Sequence, residues 1–142
     1  DTARMDGGVH PDAFDAIIVA ASIHQDRHQD DIEAFVAKFK NVLARKSTMF
    51  LSISLAAAFA EGRANAEKYI ARFAETSGWK PDKSLAVAGA LRNDEYDYYH
   101  KQILEHVVLK DRKIDHPEQD HEFTDWKALA RAVEAFLKES SP

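Results

Sequence analysis

The sequence predicts an α/β domain built on a parallel sheet. Three short stretches carry this prediction: Asp15–Ser22, Met49–Leu55 and Ser84–Ala90. Each is a run of mostly apolar and small residues without strict alternation, which is typical of a strand that helices cover on both faces. Stretches with helical periodicity lie between them, and this order indicates parallel strands joined by helical crossovers.

Composition limits the classes of function. The chain has 142 residues, of which 45% are hydrophobic and 30% charged, so it suits one domain with its own core. A net charge of −5 gives no basic excess for nucleic acid or an anionic membrane. The absence of cysteine excludes disulfides, thiolate catalysis and cysteine-ligated metal centres. The polar start and the lack of a long apolar run lead us to expect a cytoplasmic protein.

The first helix is predicted to begin near Asp30, after a polar loop, Ser22–Gln29, that follows the first strand. An aspartate there would cap the helix and suit the positive end of its dipole. Apolar residues then recur at the spacing of one helix face, at Ile32, Phe35, Val36, Phe39 and Leu43.

The second strand, Met49–Leu55, is followed by a loop of small residues, Ala56–Gly62, and by a helix predicted over Ala64–Thr76. Gly78 fits the left-handed position that ends a helix. Trp79 is expected to cover the core.

The third strand, Leu85–Ala90, precedes a segment rich in tyrosine and a helical pattern over Lys101–Lys110. The last helix is predicted to open at Phe123–Trp126 with Thr124 as its N-cap. Its expected buried face consists of Trp126, Leu129, Ala130, Val133 and Leu137.

No motif identifies a catalytic residue or a metal site. His24 and His28 are four residues apart, but no third ligand is evident. Glycine-rich nucleotide-binding motifs and a nucleophile elbow are absent. The strand ends at Ser22, Ser54 and Ala88–Ala90 should meet at one sheet edge, where a flat heteroaromatic ligand could bind. Small residues that simply close the turns explain the same pattern equally well.

Five short motifs follow one another along the chain: Ala21-Ser22-Ile23, Trp79-Lys-Pro-Asp82, Gly89-Ala-Leu-Arg92, Tyr96-x-Tyr98-Tyr99-x-Lys101 and Thr124-Asp-Trp126. In their order and spacing they resemble the flavodoxin-like family that includes the menaquinone-dependent protoporphyrinogen IX dehydrogenases. The resemblance covers about residues 12–138.

The resemblance implies a three-layer α/β/α fold that binds FMN at the carboxyl ends of its strands. It also implies an oxidoreductase that passes electrons from protoporphyrinogen IX to a quinone, a step of haem biosynthesis. The cofactor-binding residues that it implies are Ser22, Ile23, His24, Ser52, Ser54, Leu55, Ala88, Gly89, Ala90, Leu91 and Arg92.

Three features depart from the family pattern. One is the loop at His24, Gln25 and Arg27, which lacks the aromatic residue that stacks on the flavin ring in many members; Tyr96, Tyr98 or Tyr99 could supply that ring instead. The first strand, its phosphate-binding loop and the first helix have no counterpart, so we expect a single domain, residues 1–142, that is incomplete at its N-terminus. The segment Asn93–His121 holds eight acidic against four basic residues, which argues against contact with an anionic membrane and would repel porphyrin carboxylates.

These departures leave two alternatives open. One is an electron carrier or binding module of the same fold, with a redox protein as its partner and no porphyrin chemistry. The other is a fragment that binds no flavin. His24 as a proton-transfer group and Arg92 as a contact for a substrate carboxylate are candidate roles, and catalytic residues stay unassigned.

Overall fold

The computed structural model describes residues 10–91 and 120–140 of the chain. They belong to two compact units. The larger unit contains the described residues 10–89 and 124–140, and the smaller one contains residues 90–91 and 120–123. The tyrosine-rich segment, the predicted helix Lys101–Lys110 and Arg92 lie outside the described residues.

A four-stranded sheet forms the centre of the larger unit. The strands are β1 (Ala16–His24), β2 (Arg27–His28), β3 (Ser47–Ser54) and β4 (Lys83–Ala88), in the spatial order β2-β1-β3-β4. Strands β1, β3 and β4 run parallel to one another, which confirms the predicted parallel sheet. The short β2 turns back to pair antiparallel with the end of β1.

Within residues 10–91 and 120–140, three α-helices flank this sheet: α1 (Asp30–Leu43), α2 (Arg63–Ser77) and α3 (Trp126–Ser140). Helix α1 begins at the predicted residue, but the predicted aspartate cap is wrong, since Gln29 is the N-cap residue and makes no side-chain capping bond. Gly78 ends α2 with a φ of 63°, the predicted left-handed conformation. Short 3-10 turns cover Pro11–Ala13, Ala56–Ala58 and Ala60–Gly62. None of the helices within the described ranges combines the length and apolar character that crossing a bilayer requires.

The smaller unit contains a two-stranded antiparallel ladder among its described residues. Strand β5 (Ala90–Leu91) pairs with β6 (His121–Glu122). The rings of His121 and Phe123 stack with their centroids 6.0 Å apart.

Each face of the sheet has its own hydrophobic core. Strand β3 contributes to both, since Phe50 faces α1 and α2 whereas Leu51 faces α3. This alternation explains why the strand reads as a nearly continuous apolar run. The first core consists of Val19, Ala21, Ile32, Val36, Leu43, Phe50, Phe73 and Trp79. The second consists of Met49, Leu51, Val87 and Phe136.

An aromatic cluster fills the middle of the first core. The rings of Phe50 and Phe73 stack at 4.4 Å, and Trp79 meets both edge-on at 6.0 and 6.3 Å. Trp79 is only 2% exposed, which confirms that it covers the core. Its indole N–H has no hydrogen-bond partner among the described residues, so packing is what holds the ring.

The last helix differs from the sequence prediction in its cap. The carboxylate of Asp125 accepts a hydrogen bond from the Ala128 amide at 2.9 Å, which is the contact of an N-cap residue. Thr124, the predicted cap, instead donates its hydroxyl to the carbonyl of Ala88 at 2.7 Å. Thr124 therefore fastens the chain to the end of β4.

The buried face of α3 is also displaced from the predicted one. Leu129, Ala132 and Phe136 pack on the sheet, whereas Trp126 is 63% and Leu137 46% exposed. The helix carries two adjacent apolar stripes, and periodicity alone does not decide which of them meets the sheet.

Asp82 joins the starts of β3 and β4. Its carboxylate accepts hydrogen bonds from the amide of buried Thr48 at 2.7 Å and from the Thr48 hydroxyl at 3.1 Å. The Asp82 amide donates to the same hydroxyl at 3.2 Å. These bonds give the aspartate of the Trp79-Lys-Pro-Asp82 motif a structural role.

We expect Asp82→Ala to lower the free energy of unfolding by about 1–3 kcal/mol, because it leaves a buried amide without its acceptor. Urea denaturation measures the change. Glu67→Ala, which removes an exposed carboxylate from α2, is the matched control. Equal losses in the two variants would show that the bonds to Thr48 contribute nothing.

A histidine is buried beside the aromatic cluster. His28 is 3% exposed, and its ring contacts Phe73 at 4.9 Å and Phe50 at 5.2 Å between centroids. Its Nε2 lies 2.9 Å from the hydroxyl oxygen of Ser52. Burial lowers the pKa of His28 from 6.5 to about 4, because the imidazolium would lose its hydration.

This lowered pKa makes stability depend on pH. Between about pH 6.5 and 4 the unfolded chain binds a proton at His28 and the folded chain does not. The free energy of unfolding therefore decreases by about 3 kcal/mol in total as the pH is lowered through this range. Above this window both states are neutral, and below it both are protonated. Urea denaturation between pH 7 and 4.5 measures the slope.

The part of this pH dependence of stability that is due to His28 should disappear in His28→Gln. It should persist in His24→Gln, which removes an exposed imidazole from the end of β1. An unchanged slope in His28→Gln would contradict the assignment.

Candidate functional site

The candidate site is the edge of the sheet where the parallel strands β1, β3 and β4 end. The register places Ser22 opposite Ile53 and Ser54 opposite Ala88. The three strand ends are therefore neighbours in space. In open parallel sheets this carboxyl edge is where ligands bind.

The end of β3 is closed by a compact turn. The Ser54 hydroxyl accepts a hydrogen bond from the amide of Ala57 at 3.2 Å, and the Ser54 carbonyl accepts one from the amide of Gly89 at 3.1 Å. A Cβ at Gly89 would lie 3.1 Å from a methyl group of Ile53, so a larger residue would push this neighbour aside. These contacts hold the ends of β3 and β4 together.

The end of β1 forms a hairpin where the sequence predicted a polar loop. Strand β1 continues to His24, the chain reverses at Gln25 and Asp26, and His28 pairs back with Ile23. Both turn residues have a positive φ, 50° and 62°, which fits a two-residue turn of type I′. Glutamine is the less suited of the two to this conformation, since aspartate tolerates it, so Gln25 stores roughly 1–2 kcal/mol of strain.

Side chains from three other elements fasten this hairpin. The hydroxyl of Tyr69 in α2 donates to the carboxylate of Asp26 at 2.7 Å. The His28 ring reaches Ser52 of β3 beneath the hairpin, as described above. On the exposed side, Arg27 and Asp30 form an ion pair at 3.4 Å, which contributes little in water.

A polar cavity of about 350 Å³ lies between the hairpin and the first turn of α1. Its floor includes buried His28, which the lowered pKa keeps neutral near pH 7. The carboxylates of Asp30 and Asp31, at the start of α1, give the cavity a negative charge that the guanidinium of Arg27 offsets only in part. The lining residues are His24, Gln25, Arg27, His28, Gln29, Asp30 and Asp31.

The implied cofactor-binding residues fall into three groups. Seven of them lie at the edge of the larger unit: Ser22, Ile23, His24, Ser54, Leu55, Ala88 and Gly89. Ser52 is fully buried below the edge, where its hydroxyl meets His28. Ala90 and Leu91 belong to the smaller unit, and Arg92 lies outside the described residues.

Sequence reasoning missed the residues that support the hairpin. His28 precedes Ile32 by four residues and so continues the apolar spacing of α1, which was a usable signal of burial. Tyr69 and Asp26 are 43 residues apart, and no local pattern connects them.

Comparison with known proteins identifies the family. Among curated proteins, the protoporphyrinogen IX dehydrogenase [quinone] of Escherichia coli K12 is 26% identical over 118 residues, which cover 82% of this chain and 65% of that enzyme. Proteins of the same name from strains O6:H1 and O157:H7 give the same values. This chain thus matches less than two thirds of the length of these relatives. The sequence model of the flavodoxin domain family matches residues 3–118, and the chain therefore belongs to this family.

Proposed function

We propose that the protein is an FMN-dependent oxidoreductase whose flavin ring binds at the carboxyl edge of β1, β3 and β4. The observation that carries the proposal is the meeting of three strand ends in a flavodoxin domain. The finer identity of the flavin as FMN rests on the family resemblance. When bound, FMN would supply the redox chemistry, and the chain would bind it, orient it and exclude water from it.

The residues at the edge fit a flat ring with a polar rim. Ala57, Ala88 and Gly89 are small, so a planar group can approach the backbone of β3 and β4 closely. Half-buried Ile23 and Leu55 add apolar surface at the ends of β1 and β3. We propose that Ser22, His24 and Ser54 complete this wall.

The substrates belong to the same proposal. The E. coli relatives are named as dehydrogenases of protoporphyrinogen IX with a quinone acceptor. We propose a porphyrinogen as electron donor and a quinone as acceptor for this chain.

A second candidate is an electron carrier that a basic redox protein docks on. The acidic hairpin wall favours it, since Asp26, Asp30 and Asp31 face solvent while Arg27 is paired with Asp30. Such a surface would attract a basic partner, with an association rate that falls as salt rises.

We expect the protein to bind FMN and quench its fluorescence. Ile23→Ala should raise the Kd by about 5–10-fold, because it removes apolar contact worth roughly 1–1.4 kcal/mol at the edge. Ile18→Ala, five residues earlier on β1 and away from the edge, is the matched control and should leave the Kd unchanged. A wild-type protein that binds no flavin at millimolar FMN would refute the proposal and support the flavin-free alternative.

Turnover separates the enzyme from the carrier. With FMN bound and a soluble quinone analogue present, we expect protoporphyrinogen to be oxidised faster than its spontaneous rate. The absorbance and fluorescence of the porphyrin product measure this rate. Free FMN at the same concentration is the control. Flavin binding without turnover, together with salt-sensitive electron exchange with a basic redox protein, would favour the carrier.

A further inference from the structure

We infer that Tyr69 is a positioning residue for the candidate site: its hydroxyl holds Asp26 and thereby fixes the β1–β2 hairpin that borders the site. The inference rests on the proposed function for the identity of the ligand. Tyr69 belongs to α2 and is not one of the edge residues that would contact the flavin.

The hairpin needs such support because its turn is unfavourable for its sequence. Gln25 and Asp26 both adopt left-handed φ values, 50° and 62°. Type I′ turns prefer asparagine, aspartate or glycine at the first of these positions and glycine at the second, and Gln25 and Asp26 fit neither preference. Without outside contacts the turn would sample other conformations, and these would displace His24 and Arg27, the pair that flanks it.

The Tyr69 contact acts directly on one of the two turn residues. The donor and acceptor oxygens are 2.7 Å apart, and the acceptor is a carboxylate, which strengthens the hydrogen bond. The bond between His28 and Ser52 anchors the returning strand rather than the turn. The ion pair of Arg27 with Asp30 is exposed on both sides and holds the hairpin only weakly.

A fixed hairpin favours ligand binding. A ligand that meets a preformed wall does not have to order that wall, so less of its interaction free energy is lost. Loss of the Tyr69 hydroxyl should therefore show as weaker flavin binding together with a more mobile turn. A purely structural role in α2 would change overall stability and leave the turn as it is.

The experiment compares Tyr69→Phe, which removes only the hydroxyl, with the wild type. We expect the FMN Kd to rise about 3–10-fold, mostly through faster dissociation, and amide hydrogen exchange of residues 25–27 to accelerate in the free protein. Thr76→Val is the matched control, since it removes another α2 hydroxyl, which contacts Glu33 and lies away from the hairpin. It should change neither quantity.

Variants of the partner residue complete the test. Asp26→Asn keeps an oxygen that accepts from Tyr69 and should stay within about twofold of the wild-type Kd. Asp26→Ala should reproduce Tyr69→Phe, and the double variant Tyr69→Phe/Asp26→Ala should be no weaker than either single one. Additive losses in the double variant would show that the two side chains act independently and would overturn the inference.

The inference and the proposed function fail in different ways. Unchanged hydrogen exchange and Kd in Tyr69→Phe would overturn the positioning role while flavin binding by the wild type stands. A wild type that binds no FMN would refute the proposed function. Even if the wild type bound no FMN, faster amide exchange of residues 25–27 in Tyr69→Phe would support the conclusion that Tyr69 stabilises the turn.

Discussion

Burial of β3 on both faces is the constraint on which the rest of the structure depends. Its side chains alternate between two cores, with Phe50 toward α1 and α2 and Leu51 toward α3. A slip of one residue would exchange the two sets and place hydroxyl groups in the wrong core. The register with β1 and β4 is thereby fixed, and with it the meeting of the strand ends at the candidate site.

The same burial links the core to the site through one polar residue. Ser52 is 0% exposed and needs a hydrogen-bond partner, since an unpaired buried hydroxyl is costly. His28 provides that partner, and its ring fills the space beside Phe50 and Phe73. The hydrogen bond between His28 and Ser52 therefore places the returning strand of the hairpin against the core, while the turn lies at the surface.

The sequence predicted what depends on local pattern and missed what depends on distant contacts. The apolar runs, the start of α1 and the left-handed Gly78 followed from periodicity and backbone preference. The hairpin was not predicted because Gln25-Asp26 is not one of the residue pairs that normally mark such a turn, and a side chain of α2 stabilises the turn instead. The orientation of α3 escaped because both of its apolar stripes satisfy the same period.

Charge divides the described part of the proposed site into two unequal walls. The hairpin side carries Asp26, Asp30 and Asp31 against a single guanidinium. Carboxylates of a porphyrinogen would be repelled there by about 1 kcal/mol for each pair at 4 Å in water. The β3–β4 side, residues 54–58 and 88–89, carries no charged side chain. Under the proposed function, the described residues of the hairpin side would thus suit a basic redox partner better than an anionic substrate.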